Sequence, residues 1–301
     1  MKLGFLTVCL GSMPLREKAE FAAKTGFKAL EVAAWPKLND RDYSSADIDA
    51  ANLTQQEADE IREYMSGLGL EISSLAYYDN NLHPDKERRE YIHNHLRKVI
   101  DAAAMLNVEM AGTFAGRNFK ADYDQNLEEF AEVFGKHIEY AKSKNVKIII
   151  ENCHMPNWHG DGKPGTISHT PEQFRNMFAK ANSDFFGLNF DPSHFVPQYI
   201  DYSRALNEFM GKTFHFHAKD CEILPEKLYE KGANLRGYWR YRMPGLGQID
   251  WKEIIAQLKK AGYDGVISIE HEDMLYEGNV EKVKEGLKIG FDYLNRLTLT
   301  F

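Results

Sequence analysis

Four residues able to do chemistry close four successive apolar runs in the second half of the chain: Glu151 after VKIII, Asp191 after FFGLNF, His217 after TFHF and Glu270 after GVISI. Three carboxylates and an imidazole at the ends of apolar strands are costly to bury unless they are protonated, paired or bound to a cation. A divalent metal resolves that conflict for all four at once. Three oxygen donors and one nitrogen suit a fairly hard ion with coordination positions left open, so Mn²⁺, Mg²⁺, Co²⁺ and Zn²⁺ all fit the set. A single strand-end carboxylate can equally well cap a helix or pair with a loop. The repetition over four consecutive strands is what points to a metal.

The stretch TFHFHAKD carries more polar residues than one ligand requires. Side chains two apart on a strand share a face, so His215, His217 and Lys219 point together while Phe214 and Phe216 point the other way. His217 matches the depth of the other three strand ends. His215 lies one layer deeper and reads as a hydrogen-bonded core histidine. Lys219 sits at the rim, placed for a substrate oxygen or for a ligand carboxylate.

Positioning these residues requires parallel strands ending on one side. Apolar runs of strand length alternate with amphipathic helical patterns along the whole chain: 3–10, 29–35, 70–78, 109–116, 146–152, 185–191, 213–220 and 265–271 read as strands. Segments such as 57–68, 86–106, 125–144 and 280–294 repeat apolar residues at three and four. Helix-start chemistry agrees, with Thr170, Pro171 and Gln173, and again Asp250 and Glu253, spaced as caps and capping-box partners. A parallel strand must be reached by a crossover, so this alternation predicts an α/β fold. Eight units can close into a (β/α)8 barrel, with an open doubly wound sheet as the structural competitor. Such barrels commonly run to about 250 residues or more. No linker or composition shift divides residues 1–301, which read as one domain. The connection from Glu222 to Gln248 is longer than a usual loop and reads as a lid or binding loop.

Composition narrows the partners. The net charge of -8 disfavours nucleic acid and anionic membrane surfaces, both of which depend on clustered Lys and Arg. Cys9, Cys153 and Cys221 are odd in number and widely spaced, which predicts neither a disulfide framework nor a zinc knuckle and suits a reducing cytoplasm. The opening MKLGFLTVCLGSMP is too short in its apolar run for a usual signal core and reads as a first strand. No run of about 18 apolar residues suggests a membrane span.

Several motifs together resemble the xylose isomerase-like TIM barrel superfamily of sugar phosphate isomerases and epimerases, which includes ketose 3-epimerases, inosose dehydratases and endonuclease IV. The resemblance rests on IIIEN, NFDPSH, HAKD, PGLGQIDW and GYDGVISIEHED and runs from EVAAW to the last helix. It implies that Glu151, Asp191, His217 and Glu270 are metal ligands, in agreement with the strand-end reading. It also implies that His194 contacts substrate oxygens, and that an arginine before PGLG, Arg242 in preference to Arg240, does the same. Oligomerisation is a family-level expectation.

The expected activity is then a metal-dependent isomerase or epimerase acting on a ketose or related keto-sugar. A carbonyl and a neighbouring hydroxyl on the metal ease removal of the carbon-bound proton between them, giving an ene-diolate. Strands five and eight of a barrel lie roughly 135° apart, so Glu151 and Glu270 can reach a planar intermediate from different flanks as the acid/base pair. The same intermediate can expel a leaving group, which makes a dehydratase or lyase on a keto-inositol or 3-keto-sugar the alternative. Trp35, closing strand two, is the best candidate for a sugar-facing surface; Tyr77, Phe114, His154 and Trp158 are further candidates for setting the substrate pose. An endonuclease IV-like phosphodiesterase is disfavoured, because it needs further histidines from strands two and three and a DxH pair after strand seven, where this chain carries YWRYR.

Overall fold

A computed structural model describes residues 1–36, 46–233 and 236–300. Eight parallel strands close into a barrel: β1 (Lys2–Leu6), β2 (Ala29–Ala33), β3 (Glu71–Asn80), β4 (Met110–Phe114), β5 (Lys147–Glu151), β6 (Phe186–Phe190), β7 (Thr213–Ala218) and β10 (Val266–Ile269). Each neighbours its successor, and β10 closes the ring against β1 with Phe5 opposite Ile269. The α/β barrel expected from strand–helix alternation is therefore the fold, and the open sheet is excluded. Among the described residues no helix is long and apolar enough to cross a membrane, and all three cysteines are free.

Side-chain alternation fills the barrel. Phe190 and Phe216 leave their strands outward, Phe216 meeting Trp251 of the helix α8 (Trp251–Lys260) at 6.3 Å between ring centroids. Inside the barrel, Asn189, His215 and His217 are fully buried polar groups stacked toward the mouth. Close approach of neighbouring strands constrains Gly4, where a Cβ would stand 2.7 Å from the Ala29 carbonyl oxygen.

Helix starts are close to expectation with instructive differences. Thr170 caps its helix by accepting from Gln173 N, but the Gln173 side chain accepts from His169 N rather than closing a box on Thr170. Asp250 caps α8 through Glu253 N, while its own N–H is taken by Tyr202 instead of Glu253. Reciprocal boxes occur instead at Thr54 with Glu57 and at Asp122 with Gln125.

The long connection after β7 folds into a lid. Strands β8 (Asp220–Ile223) and β9 (Trp239–Arg242) pair antiparallel, with a short helix, Pro225–Lys231, between them; residues 234 and 235 lie outside the described residues. Asp220 anchors this segment. Its carboxylate accepts from Cys221 N, Gly245 N, Ile249 N and Trp251 Nε1 at 2.8–3.1 Å. The aspartate of HAKD thus serves structure.

Removing the Asp220 carboxylate leaves four buried or half-buried donors without their acceptor. Asp220→Ala should lower unfolding free energy by about 3 kcal/mol in a denaturant titration, and a loss under about 0.5 kcal/mol would contradict the anchor. A second expectation concerns His137, buried in the helix Tyr123–Ser143 with neither ring nitrogen hydrogen-bonded. Burial pushes its imidazole down to about 3. Its neutral form is therefore favoured by folding, so its contribution is complete above about pH 6.5 and is lost as pH falls toward 3. Wild type should lose up to about 1.4 kcal/mol per pH unit more than His137→Phe in that window, measured as the difference of their stability curves. Parallel curves would refute it.

Candidate active site

The mouth of the barrel gathers the strand-end residues. Glu151 ends β5, Asp191 follows β6, Glu270 follows β10, and His217 lies one residue before the end of β7. Register places Ser268 opposite His217 and Glu151 opposite Asn189, so the four chain ends meet at nearly one level. Ligand-capable atoms of Glu151, Asp191, Glu270 and His194 lie within 4.8 Å of one another. His217 joins them through one ring edge: Nδ1 is 3.1 Å from Glu270 Oε2 and 3.5 Å from Glu151 Oε1. Its opposite edge turns inward, with Nε2 2.7 Å from Glu31 Oε2.

Charge balance dominates this cluster. Lys219 Nζ lies 2.6 Å from Glu270 Oε2, 3.2 Å from Glu272 Oε2, 3.3 Å from Asp191 Oδ2 and 3.9 Å from Glu151 Oε1. Burial alone would raise the Glu270 carboxyl, but Lys219 and His217 outweigh it and hold the group at about 2. Burial, reinforced by Glu270 and Glu151 against the pull of Lys219, pushes Asp191 up to about 7. His217 is held well above the ordinary imidazole range despite burial, because Glu31 and Glu270 favour positive charge there.

The donor set fits a divalent cation on grounds internal to the molecule. Asp191 Oδ2 and His217 Nδ1 are buried and have no hydrogen-bond partner, and both border the same carboxylates. Buried polar atoms are normally satisfied, so these two, each beside Glu151 and Glu270, leave a place for a ligand. Three carboxylates and one imidazole nitrogen match the hard-cation chemistry expected from sequence.

His194 is built into the same wall. Its Nε2 lies 3.0 Å from Glu151 Oε1 and 3.4 Å from Asp191 Oδ2, and its Nδ1 is 3.0 Å from the Tyr241 hydroxyl. Burial drives its imidazole well below the usual range. A neutral ring that donates from Nε2 to Glu151 and accepts at Nδ1 from Tyr241 satisfies every partner.

A cavity of about 530 Å³ opens above the cluster, lined by Glu151, His194, Lys219, Glu270 and Glu272 and walled by Trp35, Tyr78, Phe114, Trp158, Trp239 and Tyr241. Trp35, Phe114 and Trp158, the candidates for a sugar-facing surface, line this cavity. Tyr77 does not: strand alternation turns it outward against His95 at 4.6 Å between ring centroids, and its neighbour Tyr78 faces the cavity. His154 is buried against the rings of His194 and Trp239, and its neighbours Cys153 and Met155 line the cavity in its place. Arg242 also departs from its expected role as a substrate contact. Its guanidinium pairs with Asp273 at 2.9 Å and Glu222 at 2.7 Å, bracing the lid hairpin outside the lining of the cavity.

Glu31 and the lid aromatics were not singled out from the sequence. Glu31 stands mid-strand between Leu30 and Val32, so a search limited to strand ends passes over it; the signal was an acid on the inward phase of an apolar strand. Trp239 and Tyr241 alternate in the WRYR of β9, which a reading of that loop for metal ligands does not register.

Comparison with known proteins agrees with this fold. An uncharacterized protein of Bacillus subtilis, YfiH, is 24% identical over 96% of this chain and 98% of its own length. Inosose dehydratase of Clostridium perfringens is 25% identical over 67% of this chain and 70% of its own. Among solved structures, D-psicose 3-epimerase of Clostridium cellulolyticum superposes with a TM-score of 0.75 at 15% identity over 99% of both chains. A probable 3-DHS dehydratase, AsbF, of Bacillus anthracis gives 0.71 at 18% identity over 98% of this chain and 99% of its own. The sequence profile described as "Xylose isomerase-like TIM barrel" matches residues 19–296, and the chain belongs to that family.

Proposed function

We propose that this protein is a divalent-metal-dependent sugar isomerase or epimerase acting on a ketose or related keto-sugar. The observation that carries the reading is the convergence of the Glu151, Asp191 and Glu270 carboxylates, with the Nδ1 edge of His217 beside Glu151 and Glu270. Those four side chains would hold the metal. Bound there, a divalent ion would polarise a substrate carbonyl and so acidify the C–H of the neighbouring hydroxyl-bearing carbon.

The remaining chemistry belongs to the chain. Glu151 and Glu270 approach the cluster from β5 and the end of β10, and each has a second carboxylate oxygen with which to take or return a proton. His194 orients Glu151 through the 3.0 Å contact, and Tyr241 fixes His194 in turn. Lys219, 2.6 Å from Glu270, holds that carboxyl in its anionic form. The walls Trp35, Phe114, Trp158 and Trp239 exclude water and offer aromatic faces to the apolar side of a sugar ring. A small neutral sugar suits this cavity, and the overall charge of -8 gives nucleic acid and anionic membrane no foothold.

The likeness to proteins named inosose dehydratase favours a second reading. The same deprotonation, on a substrate with a hydroxyl on the next carbon, ends in loss of water instead of proton return. Incubation of metal-loaded protein in heavy water with a panel of ketoses, keto-inositols and 3-keto-sugars separates the two. Deuterium at one carbon of an otherwise unchanged formula supports isomerase or epimerase action, and a product lighter by water supports the dehydratase. No exchange and no product across the panel would reject both.

Glu151→Gln and Glu270→Gln should each lower proton exchange by at least about 10²-fold with an unchanged circular dichroism spectrum; wild-type exchange in either would reject that residue as acid or base. Asp191→Asn and His217→Ala should lower metal content after dialysis against Mn²⁺, read by elemental analysis. Equal content in variant and wild type would count against both as ligands.

A further inference from the structure

We infer that Glu31 is a positioning residue that fixes the His217 imidazole with a proton on Nε2, turning Nδ1 toward Glu151 and Glu270. Its value to catalysis rests on the metal reading above; its hold on His217 stands by itself.

Glu31 is fully buried in β2, where a carboxylate is tolerated only if both oxygens find donors. Both do. Oε1 accepts from the Tyr78 hydroxyl at 2.6 Å, and Oε2 lies 2.7 Å from His217 Nε2. A carboxylate can only accept, so the shared proton sits on Nε2. With one ring nitrogen committed inward, the other must face the mouth, where Nδ1 is found 3.1 Å from Glu270 and without a hydrogen-bond partner. A carboxylate behind a histidine sets the tautomer, the ring angle and the basicity of the nitrogen on the far side.

The clamp is itself supported. Gly112 leaves room for Tyr78: a Cβ there would stand 2.7 Å from its hydroxyl. Asn189 Nδ2 donates to the Tyr78 oxygen at 2.7 Å and also comes within 2.8 Å of His217 Nε2. Of the two groups against Nε2, only Glu31 can accept, so the Nε2–H points to it.

A rival reading makes Glu31, His215 and His217 a second cation site, since their donor atoms lie within 4.8 Å of one another. The hydrogen bonds argue otherwise. His215 is committed on both edges, Nδ1 to Asn189 Oδ1 at 2.9 Å and Nε2 to Ser73 Oγ at 3.0 Å. Both Glu31 oxygens are likewise taken, whereas the unsatisfied atoms lie on the other side of His217.

The test uses full-length protein with ¹⁵N-labelled histidine rings, His217 being assigned by the signals missing in His217→Gln. Wild type should show a one-bond Nε2–H correlation for His217, metal-free and Zn²⁺-loaded alike. Glu31→Gln keeps the shape and removes the charge; it should shift or broaden that correlation and weaken Mn²⁺ binding about 10- to 100-fold in a chelator competition. An unchanged correlation in Glu31→Gln, or a perturbed one with wild-type Mn²⁺ affinity, would overturn the inference. If wild type binds no divalent ion yet Glu31→Gln still perturbs the correlation, the metal reading fails and the clamp on His217 survives.

Discussion

Negative charge concentrated in a small buried volume is the constraint around which the barrel mouth is organised. Glu151, Asp191, Glu270 and Glu31 all lie within reach of the His217 ring or of Lys219. Carboxylates this close repel one another, and burial deprives them of water. The molecule answers with positive charge from two directions: His217 between Glu31 and the outer carboxylates, and Lys219 among Glu270, Glu272 and Asp191. A divalent cation held by the outer group would extend the same principle and give Asp191 Oδ2 and His217 Nδ1 a partner.

The fold makes this concentration possible by dividing labour between layers. Deep in the barrel, His215, Ser73 and Asn189 form a fully hydrogen-bonded floor. Above it, Glu31 and Tyr78 grip one edge of His217. The outer edge, with the strand-end carboxylates, opens into a cavity walled in part by Trp239 and Tyr241 of the β8–β9 hairpin. Asp220 ties that hairpin to the loop leading into α8. A single strand, β7, thus contributes the floor through His215 and the hinge of the site through His217, and the residues just beyond it contribute the counter-charge and the lid anchor.

Much of this was legible because periodicity reports direction. Alternation in TFHFHAKD placed His215, His217 and Lys219 on one face and separated the core histidine from the outer one. Strand ends exposed Glu151, Asp191 and Glu270, since an acid terminating an apolar run conflicts with its surroundings. Legibility failed where the deciding contacts are distant in sequence. Glu31 and His217 are joined across 186 positions, and no local pattern announces that pairing. Arg242 looked available because its partners, Glu222 and Asp273, approach only when the hairpin folds back. Tyr77 and Tyr78 could not be told apart by residue type, and the phase of β3 decides between them.

The account stands on one cation held where these side chains converge. Crystals soaked in Mn²⁺ and measured at a wavelength sensitive to manganese anomalous scattering test it most directly. One peak bounded by the Glu151, Asp191 and Glu270 carboxylates and His217 Nδ1 is the predicted result. A map without density there, at a concentration that loads other surface sites, would contradict it.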